Sequence, residues 1–115
     1  MQLYWQIGEY ICQRVAAESW GKSTVHQLAA YLQQQEPTVK GFSDKNLWRM
    51  KQFHETYHPY PKLSALLREI NWTHHTLILG KTQSIEEKEF YLRLTLKEKY
   101  SSRELEMIYA ILRYN

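Results

Sequence analysis

Cysteine, aspartate and long apolar runs are scarce in this sequence, and each scarcity excludes a class of protein. Cys12 is the only cysteine among the 115 residues, which excludes an intrachain disulfide and a cysteine-rich zinc module. The longest stretch without an acidic or basic residue covers 13 residues, 23–35, and five of them are glutamine or histidine. Because a membrane helix needs about 20 apolar residues, we predict no transmembrane segment.

The N-terminal residues and the single thiol indicate a cytoplasmic protein. Residues 1–9 contain no basic segment followed by an apolar block, so they do not resemble a secretory signal. Cys12 has Ile11 and Val15 as neighbours, which favours a buried thiol in a reducing compartment. We therefore expect a cytoplasmic location.

The residues that are abundant suffice for one compact domain. Hydrophobic residues make up 43% of the chain and aromatic residues 14%, so a substantial core can form. A chain of this length fits one domain, and we predict a single helical domain over residues 1–115. The net charge of +3 is compatible with a nucleic-acid partner but too small to require one.

Apolar residues recur at helical spacing, and no window alternates polar and apolar residues as a strand does. Six helices are predicted. The first covers about 3–19, and the second runs from a cap at Ser23 or Thr24 to the glutamines before Pro37. The others cover 43–58, 72–79, 85–100 and the residues from Ser101 onward. A short apolar stretch covers 63–70. We predict an all-α fold of about six helices.

The last predicted helix continues to the end of the chain without a cap or a polar tail. Domain boundaries usually fall in polar linkers. We therefore expect this chain to be the N-terminal piece of a longer protein.

The third predicted helix, residues 43–58, carries a basic face. Leu47, Met50 and Phe53 project onto its core side. The opposite arc carries Lys45, Arg49, Gln52 and Thr56, flanked by Trp48 and Lys51. Lysine and arginine supply phosphate contacts, and arginine, asparagine and glutamine pair with base edges. The face predicts nucleic-acid contact; a merely solvated helix face of the same composition is the ordinary alternative.

Other candidate sites lack a required component. Residues 21–24 end like a phosphate-binding loop, but Ala16 stands where that loop needs glycine. His54 and His58 share a helix face without an evident third metal ligand, so we expect a packed histidine. Asp44, the only aspartate, falls in a first helical turn, where the helix dipole explains it. We predict a non-catalytic chain with no metal and no cofactor.

Several strings, read in order, resemble one family; they cover residues 3–8, 20–21, 41–53, 70–74, 89–91 and 100–105. Together they are similar to the N-terminal domain of YhcG-type bacterial proteins, a domain of unknown function that precedes a nuclease domain of the PD-(D/E)XK type. The resemblance implies a helix-turn-helix-like fold, plain or with a small wing. It also implies that the domain holds nucleic acid for a C-terminal nuclease domain that this chain lacks.

We therefore predict a domain that binds nucleic acid, with double-stranded DNA as the expected ligand. The residues expected to face the groove are Lys45, Asn46, Arg49 and Gln52. Phosphate contacts are assigned to Lys40, Ser43 and Lys51, and Trp48 is expected to pack beside the nucleic-acid backbone. The alternative is a protein–protein or homodimerisation module, whose contact would be marked by Trp48, Tyr31, Tyr60 and Tyr91.

Overall fold

The computed structural model describes residues 2–114, which form seven α-helices and one 3₁₀ turn at Pro61–Leu63. The helices are α1 (Gln2–Glu18), α2 (Lys22–Gln35), α3 (Asp44–Tyr57), α4 (Ser64–Arg68), α5 (Trp72–Lys81), α6 (Ile85–Glu98) and α7 (Ser102–Leu112). The all-α prediction is confirmed. Residues 2–114 contain no strand, so the small wing is not formed within them. No helix in that range has the length and apolarity to cross a membrane.

The helix count exceeds the predicted six because the apolar stretch at 63–70 is itself helical. Pro61 opens the 3₁₀ turn, since its fixed φ suits the first position of a helix. The chain continues directly into the short helix α4. Leu63, Leu67 and Ile70 are buried, which gives this segment an apolar side at helical spacing.

Side-chain caps set where most helices begin. The side chains of Ser43, Asn71, Ser84 and Ser101 each accept a backbone N–H from the first turn of the following helix. Glu104 completes a capping box with Ser101. The predicted cap at Ser23 or Thr24 is wrong. The N-cap of α2 is Gly21, because the chain turns early: Ser19 adopts the left-handed region at φ 55° directly after α1.

The chain divides into two compact units, one from Gln2 to Pro59 and one from Tyr60 onward. The prediction of a single domain over residues 1–115 stays a prediction. In the first unit, α3 packs against α1 and α2. Its buried side chains are mostly aliphatic or aromatic and include Ile11, Val25, Leu47, Met50, Phe53 and Tyr57.

Small residues on α1 let α3 approach closely. A β-carbon on Gly8 would stand 2.1 Å from the carbonyl oxygen of Met50. One turn further along, the Cys12 thiol donates to the carbonyl oxygen of Lys51 at 3.6 Å, and burial raises the pKa of that thiol. Trp5 closes the contact at the other side, with its ring edge-on to Phe53 at a centroid distance of 5.5 Å. The two helices therefore meet backbone to backbone.

The second unit packs α5 against α6 and α7. The hydroxyl of Tyr109 on α7 donates to the carbonyl oxygen of Lys81 at the end of α5. The ammonium of Lys88 is buried and donates to the carbonyl oxygen of Thr82 at 3.1 Å. Since Thr82 is the C-cap of α5, the lysine satisfies an acceptor at a helix end.

Candidate nucleic-acid interface

The connection between α2 and α3, residues 36–43, is longer than the tight turn of a helix-turn-helix. It is held at its end by two side-chain amides. Gln33 donates to the carbonyl oxygen of Phe42 at 2.8 Å, and Asn46 donates to that of Gly41 at 2.6 Å. Gly41 adopts φ 104°, a region that side-chain-bearing residues rarely occupy. These contacts fix the start of α3.

The first turn of α3 lies against the N-terminal half of α2. The Nδ1 atom of His26 is 2.8 Å from Oδ2 of Asp44. This hydrogen bond is the main cause that lowers the pKa of the Asp44 carboxyl. The acid therefore has a partner as well as the helix dipole. No sequence pattern links His26 to Asp44, because the two lie 18 positions apart on different helices.

The arc of α3 opposite its core side faces solvent, as the helical projection predicts. Its side chains and those of the preceding loop differ in how exposed they are. Lys40, Ser43 and Lys45 are exposed. The other candidate residues are partly buried; they are Asn46, Trp48, Arg49, Lys51 and Gln52. On the opposite side Leu47, Met50 and Phe53 are buried, as expected. The candidate side chains thus lie between residues 45 and 52 of α3 and on the loop that precedes this helix.

Two cations near the start of α3 carry no ion pair with another described residue. Lys40 and Lys45 contact no carboxylate among residues 2–114. The guanidinium of Arg49 donates to the side-chain oxygen of Gln52 at 2.5 Å, which orients it without neutralising it. By contrast, Arg14 pairs with a glutamate one helical turn away. The positive charge at the start of α3 is therefore left available.

Other candidate residues hold the structure together. Ser43 is the N-cap of α3, and Asn46 anchors the preceding loop. Lys51 forms an ion pair with Glu55 at 2.8 Å, and its ammonium lies 5.9 Å from the ring of Trp48. These side chains support the shape of the surface, so their free hydrogen-bonding capacity is smaller than that of Lys45.

His54 and His58 stack on each other instead of converging on a point. Their ring centroids are 5.0 Å apart and the planes differ by 7°. Oε2 of Glu9 is 4.0 Å from Nε2 of His54, and burial lowers the pKa of His54. Residues 2–114 contain no group of three or more histidine, cysteine, aspartate or glutamate side chains arranged to hold a metal.

The aromatic residues proposed for a protein contact differ in exposure. Tyr91 is buried and packs on Tyr109 with ring centroids 5.5 Å apart, so assigning it to a contact surface is wrong. Tyr31 is exposed on α2, whereas Trp48 and Tyr60 are partly buried. Tyr91 supplies core packing because its aromatic ring buries a large apolar area.

Comparison with known proteins bears on the whole chain. No curated protein and no solved structure matches it. The family model described as the DUF1016 N-terminal domain matches residues 1–114. This agrees with the resemblance carried by the strings between residues 3 and 105. The match covers nearly the full sequence, and the chain therefore belongs to the family of DUF1016 N-terminal domains.

Proposed function

We propose that this domain binds double-stranded DNA without catalysis, through the surface at the start of α3. The main support for this proposal is that three cations, Lys40, Lys45 and Arg49, have no carboxylate partner among the described residues. Phosphate groups attract such unpaired lysine and arginine side chains.

The helix end adds to this attraction. The first turn of α3 carries the positive end of the helix dipole, and helix N-termini are common phosphate contacts. The one acid in that turn, Asp44, is hydrogen-bonded to His26, which holds its carboxylate toward α2. Lys45 in the same turn is exposed.

The residues take different roles in this proposal. Lys40 contacts a phosphate, and so does Lys45, which the sequence assigned to the groove but which lies in the first turn of α3. Trp48 packs beside the DNA backbone. Arg49 and Gln52 act together toward the groove, because their mutual hydrogen bond aligns both side chains before DNA arrives. Ser43, Asn46 and Lys51 keep the helix start and its flank in place. In a longer protein, such a domain would hold DNA for a nuclease domain that follows it.

The test is duplex-binding anisotropy at low salt with matched double variants. Lys45→Ala/Arg49→Ala removes two of the proposed contacts. Lys97→Ala/Arg103→Ala removes the same charge from two exposed residues of the second unit. We expect the first variant to lose about tenfold or more in affinity and the second to stay within about twofold of wild type. Equal losses in both variants, or no binding by wild type, would contradict the proposal.

A further inference from the structure

The second half of α7 is apolar on every side. Residues 107–112 are methionine, isoleucine, tyrosine, alanine, isoleucine and leucine, without one charged or amide side chain. A helix that is apolar all round is normally buried all round. Only one side of α7 meets its own unit, where Leu105 is buried and Tyr109 packs on Tyr91. The rest of the helix surface calls for a second packing partner.

The side of α7 that faces away from this packing forms an exposed apolar stripe. Met107, Ala110 and Ile111 lie on it at helical spacing, and Tyr114 follows just beyond the helix; we call these four residues the α7 stripe. Met107 is 59% exposed, Ile111 61% and Tyr114 81%. Isolated exposed apolar residues are ordinary on protein surfaces, whereas a contiguous patch marks an interaction site.

We propose that the α7 stripe binds the α7 stripe of a second copy of this chain, with the two helices antiparallel. The charges on α7 favour this occupant. Its first half carries Glu104 and Glu106 against one base, Arg103, and is acidic on balance, while Arg113 lies at its other end. Antiparallel pairing brings the acidic half of each helix to the arginine of the other, whereas parallel pairing sets each charge beside its own copy. The helix dipoles also oppose in the antiparallel arrangement.

The geometry of the stripe suits a two-fold contact. Ala110 lies near its middle, where a small side chain lets two helices approach closely. Met107 of one copy then meets Ile111 of the other, and the same contact repeats on the other side of the axis. Arg113 also binds Glu87 within its own chain at 2.9 Å, and its five N–H donors leave capacity for a glutamate of the second copy. This proposal stands independently of DNA binding.

Molar mass at rising concentration tests the contact. Over about 1 to 200 µM, the range of moderate protein–protein affinities, light scattering should show the wild-type mass rising from 13.9 kDa toward twice that value. Ile111→Glu should stay monomeric throughout. Leu3→Glu is the matched control, because Leu3 is 56% exposed and lies on α1. This variant should dimerise as wild type does. Circular dichroism verifies that both variants keep their helices.

A wild type that stays monomeric at the highest concentration overturns the proposal, and so does an equal loss of dimer in Ile111→Glu and Leu3→Glu. Orientation has its own test in a Cys12→Ser background. In an antiparallel pair only the middle of the stripe faces its own copy, so Ala110→Cys should form an interchain disulfide and Arg103→Cys should not. Crosslinking of both variants would indicate parallel helices and contradict the antiparallel arrangement.

Discussion

A β-carbon on Gly8 would stand 2.1 Å from the carbonyl oxygen of Met50, so α1 and α3 touch through their backbones at this point. The contact lies on the buried side of α3, directly opposite the arc that carries Lys45 and Arg49. Because protein interiors are close-packed, a backbone contact of this kind fixes the position and rotation of α3. The direction in which the basic arc faces therefore depends on one glycine.

We predict that Gly8→Ala destabilises the protein. The added methyl group cannot avoid a backbone atom by changing rotamer, so the two helices must separate. We expect a loss of about 1–3 kcal/mol in the free energy of unfolding, measured by urea denaturation, as for other overpacked contacts. Gly21→Ala is the control, since a β-carbon there meets no atom within 4 Å. Equal stability of the two variants would show that α1 and α3 are not in close contact.

We predict that Asn46→Ala acts on stability. Its amide donates to the carbonyl oxygen of Gly41, so its removal takes away one of the two side-chain amides that hold the end of the α2–α3 connection. The expected cost is about 1 kcal/mol, the usual net value of one hydrogen bond, and thermal or urea denaturation measures it. Lys45→Ala should leave stability within about 0.5 kcal/mol of wild type, because that side chain is exposed. A neutral Asn46→Ala would contradict the anchoring role.

We predict that His75 makes the fold sensitive to mild acid. Burial is the main cause that lowers its pKa to about 4, from an ordinary value near 6.5. The unfolded chain therefore binds a proton more readily than the folded chain between these values, and stability falls as the pH falls through this window. We expect His75 to account for a loss of about 2 kcal/mol between pH 7 and pH 5.

Urea midpoints at the two pH values measure this loss. His75→Gln keeps an N–H donor for the carbonyl oxygen of Leu67, which Nε2 of His75 contacts at 2.9 Å, and removes the titration. Its stability should change by clearly less than that of wild type over the same range. If His75→Gln loses as much stability as wild type, the pH dependence comes from other groups.

Much of the fold could be predicted from local sequence patterns. Ser43, Asn71, Ser84 and Ser101 mark helix starts because each cap joins residues only three positions apart. The buried side of α3 follows from the spacing of Leu47, Met50 and Phe53. The early turn at Ser19 was not predicted, because a single left-handed residue leaves a weak local signal. The helix within 63–70 was not predicted either, because a five-residue helix shows too little periodicity.

The candidate site was harder to predict because its contacts join distant positions. A helical projection places Gln52 on the outward arc and Asn46 at the edge of the core arc, but it does not reveal that Asn46 bonds to Gly41 or that Arg49 bonds to Gln52. The pairing of Asp44 with His26 depends on how α2 and α3 pack. Tyr91 illustrates the same limit, because composition alone does not distinguish a core tyrosine from a surface one.

The salt dependence of duplex binding tests the central claim most directly. If Lys40 and Lys45 contact DNA phosphates, affinity falls steeply with added salt, and the Lys45→Ala/Arg49→Ala variant, which loses one of these two contacts, has a slope of log affinity against log salt that is shallower by about 1. We predict this change in slope, with the Lys97→Ala/Arg103→Ala control keeping the wild-type slope. A wild-type affinity that does not respond to salt, or one slope shared by all three proteins, would contradict DNA binding through the start of α3.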